Sequence, residues 1–547
     1  MRNLFKRDID TAIGRHVCLQ PKFPSNMAAK IGSIKKFDVI VVGGGNAALC
    51  AALSAHDHGA RVLVLEAASK DARGGNSRFA GCIFRACHQG LDHVKSVLGE
   101  RGLDDSKKCT MAPYSAEMYR KDLECTSYGR NDSAQTEILL EKSWETIEWM
   151  KSKGVQWELT LRKYYTVDNL GGIIDLFPGG AVKAVREGIG LMECLWAAVE
   201  RAGIVVRYDA PAHDLITSGD TVQGVRIRLR DSYVDLYGQV ILACGGFEAS
   251  PARRRQFLGE GWDLVPVRGC RYNTGTMLFR ALNAGAQAVG HWGAAHASPQ
   301  DINAPLTGEI EKTPLIPRYS YPFGITVNVA GKRFFDEGED HFGMTYAKIG
   351  KLIAQQPQSK AYQIFDQNTL HLLEPRYATT KPVQADTLSD LATALQIDRN
   401  AFIDTIDAFN AACQHGGFDP MHKDGLRTMH PLRPPKSNWA LPIERGPYVA
   451  YAVTCGITFT YGGLASDSKA RVLNNEGKPM PGLWCAGEIA GGLFYHNYAG
   501  GAGLTKGAVF GRIAGQEAAS RAAELKRPGF FSSDSCWLSM VESPPSA

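Results

Sequence analysis

The sequence predicts an α/β protein: a discontinuous Rossmann-type domain carrying an inserted α+β capping domain. Three observations predict it. The run FDVIVVG at 37–43 enters a triple glycine and an Ala/Leu-rich helix, then returns through RVLVLE, which ends on Glu66. Two further apolar runs, within Val234–Ser250 and Met480–Gly492, each end in glycine turns. Between them, residues 291–449 carry helical patterns (TYAKIGKLIAQQ, RNAFIDTIDAFNAA) but no second nucleotide fingerprint.

A continuous β-branched run is what a strand buried on both faces of a parallel sheet requires. Gly43 permits the tight turn out of that strand. Gly45, lacking Cβ, lets the backbone approach a pyrophosphate, and Ala48 allows close helix–strand packing. The helix opening at Asn46 and Ala47 then points unpaired N–H groups at the phosphates. Glu66 stands about 20 residues on, where a carboxylate accepts both ribose hydroxyls and repels the extra phosphate of NADP.

The next segment, RGGNSRFAGCIFR (Arg73–Arg85), is a polar glycine loop rather than another βα unit. It suits a wrap around a flavin, so the expected cofactor is FAD, with Gly75, Asn76, Ser77 and Gly81 in the loop. Helices are expected at about 135–153 and 190–202. LACGGFE brings Gly245 to the end of a strand, and Gly487-Glu488 ends another. Tyr498–Ala519 is a glycine-rich entry into a final helix, with Gly503 and Leu504 at its start. A helix N-terminus near the flavin's pyrimidine end stabilises an anionic reduced form by roughly 0.3–1 kcal/mol. The chain divides into a basic tail (1–36), a first FAD-binding segment (37–290), a cap (291–449), a second FAD-binding segment (450–522) and a polar tail (523–547).

Bulk properties narrow the classes. The 547 residues suit several domains, and 44% apolar with 21% charged residues is a globular composition. A net charge of +5 without an aromatic-basic motif argues against nucleic-acid binding. The thirteen cysteines form no CxxC pair, so no metal site is indicated, and reduced intracellular thiols are expected. No run approaches the roughly 18 apolar residues of a membrane-spanning helix. The basic N-terminal tail reads as a solvated segment, with a mitochondrial presequence as the alternative; a cytoplasmic location is expected.

The motifs VVGGGNAALCAAL…VLVLE, GGNSRFAG, LACGGFE, NTGTMLFRALNAGA, GKRFFDE and GEIAGG…GRIAG together resemble the fumarate reductase/succinate dehydrogenase flavoprotein superfamily over roughly residues 37 to 522. The resemblance implies FAD contacts also from Ala212. With no histidine between Gly74 and Gly81, it implies non-covalent FAD.

The chain departs from the fumarate reductases. Their substrate-binding histidine and arginine motifs read here GITFTYGGL (Gly456–Leu464) and FYHNYAGGAG (Phe494–Gly503), with Tyr498 at the arginine position. His341 replaces their proton-donating arginine. These stretches are similar to the FAD-dependent tricarballylate dehydrogenases, and the tyrosine–glycine arrangement is similar to the 3-ketosteroid Δ1-dehydrogenases. Both imply removal of an α-proton and a β-hydride to leave a conjugated C=C bond. Tyr498, His341 and His296 are the candidate catalytic residues. Arg318, Arg268, Tyr461, Thr460 and His496 are the candidate substrate contacts, the arginines offering a bidentate fork to carboxylate. Arg333 reads as structural. The partners expected are a small organic acid or ketone and an electron acceptor or donor: a quinone, an electron-transfer protein or O2. The rivals are a cyclic-ketone desaturase and a flavin electron-transfer subunit with no substrate of its own.

Overall fold

The computed structural model describes residues 36–164, 172–180, 182–230 and 232–527. The N-terminal tail up to residue 35 and the C-terminal segment 528–547, for which solvated tails are expected, lie outside the described residues.

The nucleotide unit forms as its pattern predicts. β1 (Lys36–Val42), α1 (Asn46–Asp57) and β2 (Val62–Leu65) make a βαβ unit with β1 and β2 parallel, Val39 facing Val62. Val39, Ile40 and Val41 are fully buried, as a strand covered on both faces must be. The two expected helices are α2 (Ser133–Ser152) and α3 (Glu187–Arg201). β3 (Val205–Arg207) pairs parallel with β2. β4 (Ala212–Ser218), β5 (Thr221–Leu229) and β6 (Ser232–Leu242) form an antiparallel meander.

The capping layer runs through β7 (Ala295–Asp301), β8 (Ile325–Asn328), α4 (Phe342–Ala354), β9 (Lys360–Phe365), β10 (Val383–Ala385), α5 (Arg399–Ala412) and β11 (Tyr448–Thr460). Its strands form a wholly antiparallel five-stranded sheet in the order β7-β11-β9-β8, with β10 also on β11. α5 closes one side with Phe402, Ile406 and Phe409. The break expected at 449/450 falls at the start of β11, which pairs with β7, β9 and β10 and, through a parallel bridge between Ile457 and Val267, also touches the segment before the cap.

The chain then returns to the nucleotide layer through β12 (Arg471–Leu473), β13 (Pro479–Cys485) and α6 (Ala502–Glu524). The eight-stranded core sheet has the path β12-β13-β6-β1-β2-β3, with β13 parallel to β6, β5 also pairing with β6, and β4 pairing with β5. α6 lies against α1 at close range because glycines face it: a Cβ on Gly511 would stand 2.5 Å from the Ala47 carbonyl oxygen, and one on Gly515 2.3 Å from that of Ala51. Ser54 Oγ adds a 2.7 Å bond to the Arg512 carbonyl. Two segments more than 400 residues apart in sequence thereby build one domain. Among the described residues no helix is long and apolar enough to cross a membrane.

Candidate active site

One cavity of about 520 Å³ runs from the β1–α1 turn, past the start of α6, to the inner face of the cap. Every residue expected to contact FAD lines it: Gly43, Gly45, Asn46, Ala47, Glu66, Gly75, Asn76, Ser77, Gly81, Ala212, Gly245, Gly487, Glu488, Gly503 and Leu504.

The local reasons are specific. Gly43 has φ +118°, and a Cβ there would lie 2.3 Å from the Ala243 carbonyl oxygen on the neighbouring strand. α1 starts without a side-chain cap from Gly45; Ser77 Oγ reaches it, accepting from Asn46 N at 3.0 Å. Its positive end therefore faces the cavity. Asn46 Nδ2 donates to the Leu504 carbonyl at 2.9 Å, tying the start of α1 to the start of α6. Glu66 Oε1 accepts from Ala68 N at 2.9 Å, whereas its buried Oε2 has no partner among the described residues. Burial pushes this carboxyl above the usual range, against backbone N–H groups that pull it down. A helix N-terminus at the cavity, a buried acceptor without a donor and a backbone that excludes Cβ are what the pyrophosphate and ribose of FAD require, so the group fits.

Asn76 corrects one detail of the expectation. Its amide is occupied by the protein itself: Nδ2 donates to Glu248 Oε1 (2.8 Å) and the Thr458 carbonyl (2.7 Å), and Oδ1 accepts from Cys270 N (2.8 Å). It holds the cavity wall together.

The cap end of the cavity is aromatic and cationic. His296, Tyr498, His341, Tyr461, Thr460 and Arg268 all line it. The His296 ring stacks on Phe459 (5.1 Å, 24°) and meets Tyr498 and Tyr346 edge-on, each at 5.0 Å. Phe494 packs 5.0 Å from Tyr498. Tyr498 Oη accepts from Gly503 N at 2.9 Å, and burial pushes its phenol up to about 12. It is therefore a protonated donor at neutral pH. Three polar atoms here are buried without a partner among the described residues: Tyr461 Oη, His296 Nδ1 and Arg268 Nε. Arg268 keeps a long contact, Nη1 to Thr458 Oγ1 at 3.5 Å. Native interiors rarely leave such groups unpaired, and several converging on one cavity mark a ligand site.

Two expected substrate contacts fall outside the cavity. Arg318 is fully buried and consumed by structure: it pairs with Asp301 at 3.0 Å and donates to Thr380 Oγ1 and the carbonyls of Leu315 and Pro317. His496 turns away to stack on Tyr128 at 4.6 Å. Arg333, read as structural, pairs with buried Glu337.

The histidines also need correction as acid–base groups. Burial, reinforced by the Arg268 charge, holds His296 down at about 3. Burial holds His341 at about 4; Asp340 opposes it and Arg85 adds to it. His341 Nδ1 accepts from Gly343 N (3.1 Å), capping α4, and the ring stacks on Phe177 at 4.3 Å. Burial therefore keeps both imidazoles neutral at pH 7. Because both folded values lie below the unfolded one, near 6.5, the unfolded chain binds more protons across the window between them. Stability therefore falls as pH drops from about 6.5 toward 4, by about 1.4 kcal/mol per unit for each ring. Urea midpoints are expected to drop between about pH 6.5 and 5, and less steeply in His296→Phe.

Sequence reasoning missed Arg85. Its guanidinium lines the cavity and bridges Gly500 O (Nε, 2.8 Å), Tyr114 Oη (Nη1, 2.6 Å) and Asp122. The signal was an arginine closing an otherwise apolar stretch, GCIFR. Arg376 and Tyr346, from the cap, also line the cavity with no motif to announce them.

A discontinuous Rossmann-type domain, a helix N-terminus beside a buried glutamate whose Oε2 has no partner among the described residues, and a cap over the same cavity define an FAD-dependent flavoprotein. The chain belongs to the FAD binding domain family, whose model matches residues 38–504. It is 28% identical over 501 residues to the NADH:fumarate oxidoreductase of Klebsiella pneumoniae, covering 89% of this chain and 48% of that protein. It is 27% identical over 569 residues to the NADH:acrylate oxidoreductase of Vibrio harveyi, covering 93% and 53%. The chain thus spans about half the length of these two relatives. Its fold matches 3-ketosteroid Δ1-dehydrogenase from Sterolibacterium denitrificans with a TM-score of 0.67 at 21% identity, covering 89% of this chain and all of that one.

Proposed function

We propose that this protein is an FAD-dependent oxidoreductase that forms or reduces a C=C bond conjugated to a carboxylate. The observation that carries the reading is Arg268, a buried guanidinium with an unpartnered Nε, beside two further unpartnered polar groups, His296 Nδ1 and Tyr461 Oη, in the FAD cavity. Such a fork favours a carboxylate over a neutral ketone. The relatives named for fumarate and acrylate, both conjugated acids, support the same class. The tricarballylate/aconitate pair belongs to it, with Arg268 in place of Arg318 as the principal cation.

When bound, FAD supplies the hydride acceptor or donor. The chain's own residues do the rest. Arg268 holds the carboxylate and stabilises charge developing on it. Tyr498, its oxygen already engaged by Gly503 N–H, gives its proton to the α-carbon in reduction, leaving a phenolate that solvent reprotonates. In oxidation the phenolate, formed by loss of that proton to solvent, takes the α-proton. His296, Phe459, Phe494 and Tyr346 exclude water from the reacting carbons.

A second reading, desaturation of a cyclic ketone, draws on the aromatic wall around Tyr498. Anaerobic addition of tricarballylate, then of a 3-ketosteroid, to oxidised holoprotein separates the two. Bleaching of the oxidised-flavin band by the acid supports the first. Bleaching by the ketosteroid alone moves the assignment to the second, and bleaching by neither fits an electron-transfer subunit. Quinone, O2 or an electron-transfer protein is then tested for reoxidation of the bleached form.

A further inference from the structure

α6 carries a cation that the substrate reading does not use. Lys506 is the fifth residue of that helix, lines the cavity and is only 3% exposed. Its ammonium has three donors, and among the described residues one hydrogen bond engages them, to the Ala490 carbonyl. The Phe494 ring adds a weaker contact, its centroid 5.6 Å from Nζ. A buried ammonium ordinarily needs a carboxylate, because one neutral acceptor does not offset its desolvation. Among the described residues Lys506 forms no ion pair.

The two carboxylates whose charges reach it are engaged elsewhere. Glu488, in the turn Gly487–Ile489, takes Thr460 N (2.8 Å) and Thr460 Oγ1 (3.2 Å) on Oε1. Asp132 caps α2 through Gln135 N at 2.8 Å. The helix does not compensate the charge either. Helical side chains lean toward the N-terminus, which is the positive end of the helix and disfavours a cation. Burial lowers the ammonium only to about 8, so it is charged at pH 7. A bound anion restores the balance.

The place of Lys506 along the cavity selects the anion. The pyrophosphate belongs at the β1–α1 turn, against Gly45 and Asn46. The substrate carboxylate is assigned to Arg268, beneath the cap. Lys506 stands between these ends. Leu504, two residues before it, accepts Asn46 Nδ2 at 2.9 Å from the phosphate side. Phe494, beside its ammonium, packs 5.0 Å from Tyr498 on the substrate side. The ring system of FAD joins the same two ends. Hydride from the saturated acid, which is thereby oxidised, brings two electrons and one proton, so the ring gains one negative charge. We infer that Lys506 is the counter-charge of the reduced flavin: its ammonium stabilises the negative charge that the ring system gains on reduction.

The test uses Lys506→Met, which removes the charge at similar length, and Lys506→Gln, which also keeps an N–H for the Ala490 carbonyl. Midpoint potentials are read by equilibrating holoprotein, under chemical reduction, with a dye of known potential. Fluorescence titration of apoprotein gives the dissociation constant of oxidised FAD. Both variants are expected to bind oxidised FAD within about 3-fold of wild type and the reduced form roughly 10–100-fold more weakly, which lowers the two-electron midpoint by about 30–60 mV. If the methionine variant does not fold, the glutamine variant decides. An unchanged midpoint overturns the inference. Equal weakening of both forms does so too, and would mark Lys506 as a pyrophosphate contact or a purely structural residue. A chemical reductant replaces the substrate throughout, so failure here is separate from failure of the acid assignment.

Discussion

Arg268→Leu is expected to lower kcat/KM for a conjugated acid by roughly 10²–10³-fold while leaving flavin content unchanged. Removing one partner of a buried, charge-assisted pair costs about 2–5 kcal/mol, because the carboxylate is then buried alone. The geometry puts that cost on Arg268: it lines the cavity, its Nε is unpartnered among the described residues, and Nη1 makes a long 3.5 Å contact to Thr458. Arg268→Lys retains the charge but not the fork, so it recovers only part of the loss. Steady-state kinetics with an acid and with a matched neutral ketone check the point. Only the acid should suffer.

Glu66→Ala is expected to weaken FAD binding by roughly 10²–10⁴-fold, from two charge-assisted bonds to ribose hydroxyls at about 1.5–3 kcal/mol each. Oε1 is already held by Ala68 N, which leaves Oε2 of this cavity-lining residue without a donor among the described residues. Gly44→Ala should act in the same direction through the same side chain, because its Cβ would stand 2.1 Å from Glu66 Oε2. Equilibrium titration of apoprotein with FAD measures both. Wild-type affinity in either variant would remove Glu66 from the cofactor site.

The cofactor half of the site was legible because backbone needs write themselves into sequence. Gly43, Gly45 and Ala48 are dictated by local geometry and spacing, and Glu66 by its distance from them. The final glycine-rich run read correctly as a helix entry, and α6 does meet α1 at Gly511 and Gly515. The substrate half was legible only in places. Arg318 and Arg268 look alike in sequence, each an arginine beside apolar and aromatic neighbours. What separates them is Asp301 on β7, which reaches Arg318 across 17 residues, and no local pattern reveals that. His341 was placed correctly at the cavity, but its protonation depends on burial by Phe177 and the cap, which spacing cannot supply. That the strand entered at Tyr448 runs on to Thr460 was hidden because only its partners, β7, β9 and β10, assign it to a sheet.

The most direct test is reoxidation of chemically reduced holoprotein, without oxygen, by a conjugated acid such as acrylate, fumarate or aconitate and by a conjugated ketone such as cyclohexenone. Return of the oxidised-flavin band with at least one acid and not with the ketone is the predicted result. Return with the ketone alone, or with none of them, would contradict a carboxylate-directed site at Arg268.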